Sequence, residues 1–161
     1  MRFHSVLYFC LALGFIATVQ AQDRRRIQQE LLQRPTDPDA VQRAEESRRE
    51  CQKVFDSVRH GIAGGNIGLF SQHFGPQVLV NIRGGESGYY SSSQAYYVLE
   101  NHFKTRKVLR FDLSTIGGLD ANPYATGSAW FNLKGSRESA QVYVSLARTG
   151  GRWVIAQVNI Y

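Results

Sequence analysis

Apolar residues recur along this chain with three different periods, and each period predicts a different element. Val6 to Ile16 is a nearly unbroken apolar run. Val41, Ala44, Cys51, Phe55, Val58 and Ile62 then recur mostly at three-, four- or seven-residue steps. That spacing predicts one stripe on a long amphipathic helix that opens near Thr36-Asp37-Pro38-Asp39 and stops at Gly64-Gly65. Asn66 opens a second, short helix carrying Ile67, Leu69, Phe70 and Phe74, with Gly75-Pro76 as its stop. From there Val78, Val80 and Ile82 alternate with Leu79, Asn81 and Arg83, the period of a strand. Residues 84–88 read as a turn, and Tyr89-Tyr90 as a short strand pairing back. Ser91 or Ser92 caps a third helix from Gln94 to Lys104.

The remainder alternates with period two. Residues 108–116 place Leu109, Phe111 and Leu113 on one face, and residues 124–133 place Ala125, Gly127, Ala129, Phe131 and Leu133 together. Residues 139–148 set Val142, Val144 and Leu146 opposite Gln141, Tyr143 and Ser145. Residues 153–161 set Val154, Ala156, Val158 and Ile160 opposite Trp153, Ile155 and Gln157. Short Gly-containing turns separate these runs, which makes an antiparallel meander. One apolar face of each strand needs cover, and the helices supply it. The fold class is α+β.

The ends of the chain add organisation. Arg2, the run from Val6 to Ile16 and the short residues of Val19-Gln20-Ala21 form the three-part pattern of a secretory signal. A membrane-spanning helix needs about 20 apolar residues, more than this run offers; an uncleaved anchor is the alternative. The expected layout is a signal over residues 1–21, a charged flexible lead-in over 22–38 and one domain over 39–161, with an exported (periplasmic or extracellular) destination. Removing the signal takes Cys10 and leaves Cys51 alone, so no internal disulfide can hold the domain. Without Arg2 the chain carries 18 of its 19 Lys+Arg against 13 Asp+Glu, a net charge of +5. The surplus lies wholly after residue 50 and is scattered, whereas a nucleic-acid binder concentrates its cations on a stripe. No nucleic-acid partner is expected, and no transmembrane segment after signal removal.

The order of elements resembles the nuclear transport factor 2-like (cystatin-like) cone: a long N-terminal helix plus two shorter helices on a curved, mainly antiparallel sheet. The local pattern is closer to an exported bacterial family, domain of unknown function 4783. The resemblance is carried by Phe70-Ser71-Gln72-His73-Phe74 with Val78–Ile82, and by Tyr90-Ser91-Ser92-Ser93-Gln94-Ala95. It continues through Leu99 to Phe103, Phe111, Tyr124 with Gly127, and the closing strand from Trp153 to Ile160. The Tyr-Ser-x-x-Gln-Ala stretch is the most specific part. The family pattern favours an aromatic where this chain has His102, a departure that changes the polarity of any cavity there. The resemblance implies export and fold and brings no activity, although some relatives by fold are isomerases, cyclases or dehydratases.

An isomerase of that kind needs a carboxylate base facing an apolar cavity. The acids after residue 50 are Asp56, Glu86, Glu100, Asp112, Asp120 and Glu138, and most fall in turns or on polar helix faces. No acid–base pair stands out. His60, His73 and His102 lie on three different helices, with no ligand spacing to suggest a metal; no metal and no cofactor are expected. The polar residues placed to reach a pocket between helices and sheet are His73, Tyr90, Tyr97 and His102. Tyr124, Trp130, Tyr143, Trp153 and Tyr161 fall on the sheet face opposite the helices, and an exposed aromatic face marks an interface. A bulge would shift parity and return some of them to the core. The expectation is a non-enzymatic binding or protein-interaction module of the cell envelope, as a homodimer through the sheet face or with an envelope protein. The alternative is a small-molecule binder, for a small apolar ligand, or a small isomerase/cyclase-like enzyme using the pocket. A weaker third expectation is a basic surface that docks anionic glycans or lipids.

Overall fold

The computed structural model describes residues 37–161, so the expected signal and all but the end of the lead-in lie outside the described residues. Helix α1 spans Pro38–Ala63. The carboxylate of Asp37 accepts from the Asp39 N–H at 3.1 Å, satisfying one of the donors that a helix start leaves unpaired. The apolar stripe is buried only from Cys51 onward, through Val54, Phe55, Val58 and Ile62. Ala44 and Val41, expected on the same stripe, are exposed. From Gln42 to Glu50 the helix is dominated by Arg and Glu, and only Ser47 is partly covered. The helix closes with a six-residue C-terminal motif. Asn66 N–H donates to the Gly61 carbonyl at 2.8 Å and Gly65 N–H to that of Ile62 at 3.0 Å. Gly65 takes φ +63°, the left-handed geometry such a stop requires.

Helix α2 is a single turn, Gly68–Ser71. Strand β1 spans Phe74–Ile82, so Phe74, expected as the end of the second helix, instead begins the sheet. Gly75-Pro76 does not terminate anything. Pro76 falls within a register irregularity of the β1–β6 pairing between Phe74 and Leu79, where the ladder has no need of its missing N–H. Strand β2 (Ser87–Ser91) returns antiparallel to β1. Helix α3 (Ser92–Thr105) follows directly, with Ser91 as its N-cap in a full capping box with Gln94.

Strands β3 (Lys107–Gly117), β4 (Tyr124–Leu133), β5 (Ser136–Thr149) and β6 (Arg152–Ile160) form the expected meander. The sheet has six strands in the order β2-β1-β6-β5-β4-β3, and only the β1–β6 pair is parallel. This puts β6, the last strand in sequence, in the interior of the sheet beside the first. Val78, Val80, Ala125, Ala129, Phe131, Val144 and Val158 are buried in one core with Phe55, Val58, Phe70 and Leu99 of the helices.

Two bulges move side chains from the faces that simple alternation assigns. In β3 the pairing shifts between Val108 and Arg110, and Leu109 is exposed rather than aligned with Phe111. In β6 the register slips where Ser145 and Leu146 face Gln157 and Ile155. One extra residue inverts parity, so Trp153 and Ile155 share the helix side with Val158 and Ile160. Trp153 therefore belongs to the core, at 8% exposure, and not to the open face where alternation placed it. Its indole N–H donates to Ser47 Oγ of α1 at 2.9 Å, and the Arg148 guanidinium lies 5.2 Å from its ring.

Gly127 marks the closest packing of β4 against β3. A Cβ there would lie 2.6 Å from the Asp112 carbonyl oxygen and 2.8 Å from the Phe111 ring. The backbone cannot yield as a flexible side chain would, so Gly127→Ala is expected to destabilise the domain by about 1–3 kcal/mol. Urea unfolding followed by circular dichroism measures this; an unchanged midpoint would show that β3 moves aside freely.

Candidate functional site

Among the described residues no helix packs on the second, open face of the sheet, and that face is organised in cross-strand rows. The first contains Tyr124, Ser145, Gln157, Leu79 and Tyr89, and the second Thr126, Tyr143, Asn159, Asn81 and Ser87. Ser128 and Gln141 form a third, linked by Gln141 Nε2 donating to Ser128 Oγ at 3.0 Å. Tyr161 sits beside them, paired through its backbone with Gln141. The rings of Tyr124 and Tyr143 stack with centroids 6.0 Å apart and planes 18° from parallel. Trp130 is exposed near the β3 edge, with the Arg110 guanidinium 5.3 Å from its ring centre. Four of the five aromatic residues expected on this face are there: Tyr124, Trp130, Tyr143 and Tyr161.

Among them lies a residue that alternation alone did not single out. Asn159 is a polar side chain only 4% exposed, and it lies on the open face of an interior strand. Its Nδ2 is 2.5 Å from the Tyr161 hydroxyl, while its Oδ1 is buried with no hydrogen-bond partner. Thr126, Gln141, Tyr143, Gln157, Asn159 and Tyr161 line a depression of about 360 Å³ here. Alternation puts Asn159 on the open face with Tyr161, but a polar residue there is unremarkable until its burial is seen.

The residues expected in a pocket between helices and sheet do not converge. His73 precedes β1, and its carbonyl accepts from Ile155 N–H. His102 sits at the other end of that strand, in a cavity of about 110 Å³ with Ile82, Phe131 and Ile160. Eight steps of strand separate these ends, on the order of 25 Å. Tyr90 is half-buried and donates to Glu86 at 3.0 Å. Tyr97 is 61% exposed and packs edge-on against Tyr96, away from His73 and from the cavity at His102.

His102 is the one member with a distinctive setting. Its ring meets Phe103 and Phe131 edge-on, and its Nε2 is buried without a partner. The cavity also holds Arg83, Arg106, Glu138 and Ser139, with Arg106 Nε 3.6 Å from the Glu138 carboxylate. A separate hollow of about 500 Å³ lies between the exposed half of α1 and the β3–β4 and β5–β6 turns. Its rim is bridged by Arg48 and Asp120 at 2.7 Å.

Every acid after residue 50 is already engaged. Asp56 pairs with Arg59, Glu100 with Lys104, Asp112 with Arg110, Asp120 with Arg48 and Glu138 with Arg106. Glu86 accepts from Tyr90. Among the described residues, no three His, Cys, Asp or Glu side chains gather as a metal site, and no helix is long and apolar enough to cross a membrane.

The comparisons with known proteins match this architecture. The profile of the domain of unknown function DUF4783 covers residues 55–161, which is most of the described chain. The chain belongs to the DUF4783 family. A DUF4783 family protein from Bacteroides uniformis superposes with a TM-score of 0.59 at 19% identity, covering 65% of this chain and 93% of that one. One from Bacteroides ovatus gives 0.57 at 19% identity, covering 65% and 90%. An NTF-2 like protein of unknown function from Shewanella oneidensis gives 0.50 at 9% identity, covering 70% and 96%. These likenesses establish the fold, as the order of elements implied, and they carry no activity. No curated protein matches this sequence.

Burial, reinforced by the charge of Arg106, pushes His102 down from 6.5 to about 4. The unfolded chain binds this proton near the ordinary value and the folded chain only near 4. Stability from a neutral His102 is therefore complete above about 6.5 and lost as pH falls toward about 4. His73 is lowered by burial as well and acts in the same direction. The urea midpoint is expected to drop between about pH 7.5 and pH 5, and His102→Phe to remove part of that drop. Equal slopes in both proteins would show that His102 is not protected from protonation.

Proposed function

We propose that this domain is a non-enzymatic binding module of the cell envelope whose working surface is the open face of the sheet. The observation that carries the reading is the arrangement of Tyr124, Trp130, Tyr143 and Tyr161 on the face that no described helix covers, around a buried Asn159. Aromatic rings supply large contact area at low entropic cost, and a contiguous exposed patch of them marks an interaction site. The engaged acids add to it: none stands free in an apolar cavity to serve as a general base.

The protein-interaction form of the reading is self-association through the β3–β4 side of the face, where Trp130 and Tyr124 stand with Arg110. Export follows from the N-terminal pattern, with cleavage after Ala21. Native mass spectrometry of the protein purified from its envelope tests both points. The expected result is a concentration-dependent dimer of chains beginning at Gln22, and a shift to monomer in Trp130→Ser. A strict monomer at every concentration removes the dimer, and an intact N-terminus removes the export assignment.

A second reading is favoured by the unpartnered Nε2 of His102 beside its cavity. In that reading a small ligand enters beneath α3 and hydrogen-bonds this nitrogen. A core role instead makes His102→Phe a simple stabilisation of about 1 kcal/mol, since an apolar ring removes a buried unpaired group. The ligand reading expects the wild type to retain a small mass in native spectra and His102→Phe to lose it. A bare wild type together with a stabilised variant sinks the pocket reading.

A further inference from the structure

The depression around Asn159 has a chemistry of its own, and it deepens the reading of the open face on which it rests. Three carboxamides (Gln141, Gln157 and Asn159) meet two tyrosine rings and the hydroxyl of Thr126 over about 360 Å³. No charged side chain lines it. β6 and β5 are the two innermost strands, so the backbone donors and acceptors at this place are already used in the ladder. A ligand here must be read by side chains alone, which rules out strand addition of a peptide at this point. We propose that this depression binds a neutral saccharide.

The alternatives fail on polarity. A charged ligand would be stripped of water beside groups that offer no compensating charge. An apolar ligand would bury the amides of Gln141 and Gln157 and seal the unpartnered Oδ1 of Asn159, leaving those groups unsatisfied. A sugar ring answers both objections. A carboxamide offers an acceptor and two donors in one plane, a match for adjacent hydroxyls that each donate and accept. The C–H face of the sugar lies on an aromatic ring, the place Tyr143 supplies.

Tyr161 has a specific part in this. It is half-exposed, and its hydroxyl sits on the Asn159 amide at 2.5 Å. Oδ1 is buried without a hydrogen-bond partner, and Tyr161 is seated on the other atom of the same amide. Swinging the ring aside opens the amide, and two sugar hydroxyls take over, one donating to Oδ1 and one accepting from Nδ2. The Tyr161 ring thus covers Asn159 in the free protein and yields to the ligand.

Saturation-transfer NMR and calorimetry on the protein purified from its envelope test the proposal. The probes are methyl β-glucoside, methyl β-galactoside, N-acetylglucosamine and maltose, with glucuronate as the anionic control. At least one neutral sugar is expected to bind with a Kd at or below about 1 mM, and glucuronate at least about tenfold more weakly. Asn159→Leu is expected to weaken binding at least about tenfold; because it alters a buried residue, Gln157→Ala, on the rim, serves as the second variant and is expected to do the same. No binding by any neutral sugar, or binding indifferent to both variants, overturns the proposal. Native mass spectra of the same samples separate the two claims. A Trp130-dependent dimer that takes no sugar refutes the saccharide site and leaves the open face as the working surface. A monomer that binds nothing refutes both.

Discussion

The arrangement of this domain depends on one bulge in β6. Before it, Trp153 and Ile155 point toward the helices; after it, Val158 and Ile160 do. Without the extra residue, a strand that anchors Trp153 in the core would turn Val158 and Ile160 out to solvent. A strand that buried those two would instead expose Trp153. The bulge lets one interior strand do both jobs. At one end the Trp153 indole bonds Ser47, tying the sheet to α1 where that helix begins to lose its exposed character. At the other, Gln157, Asn159 and Tyr161 come out together on the open face, where Tyr143 faces Asn159 across the ladder.

Legibility in the sequence followed from how local each signal is. The long helix, the Ser91 cap, the hairpin ending at Tyr89-Tyr90 and the four-strand meander rest on short-range periodicity and capping, and all are present. The fold resemblance rested on the same order of elements. What failed was non-local. The parallel pairing of β1 with β6 brings together residues far apart in sequence, and no spacing announces it. Bulges at Leu109 and near Ala156 depend on partner strands, so alternation counted along one strand carried Trp153 and Leu109 to the wrong faces. Phe74 was assigned to a helix because Gly75-Pro76 is a common stop, yet a strand bulge can hold a proline equally well.

The candidate site was legible only in part, for the same reason. Tyr124, Trp130 and Tyr143 sit on strands or strand segments without a parity change, and counting by twos finds them. His73, Tyr90, Tyr97 and His102 were grouped because a pocket between helices and sheet would need polar residues, and residue type says nothing about which end of a strand each occupies. Asn159 drew no notice because a polar residue on an open face is ordinary, and its burial depends on neighbours from other strands. The basic surplus after residue 50 is similarly clarified by geometry. Arg59, Lys104, Arg106 and Arg110 are paired with acids at the surface, an arrangement that contributes little to stability.

Asn159 is where stability and function part. A buried polar group with one unsatisfied atom costs about 1–3 kcal/mol, a large share of what holds a small domain together. The neighbouring positions show what the fold itself asks for. Val158 and Ile160 fill the core on one side, and Val144 lies across the ladder from Val158. A valine or threonine at 159 would suit an interior strand at least as well and would leave nothing unpaired. Nothing in the packing of the helices requires an amide there, because the side chain lies on the other face. Its surroundings, two further carboxamides and two tyrosines without a charged side chain, form a set that hydrogen-bonds in both directions. On the proposal that the open face is a binding surface, a residue that weakens the fold while completing such a set takes its place from the ligand and not from the packing.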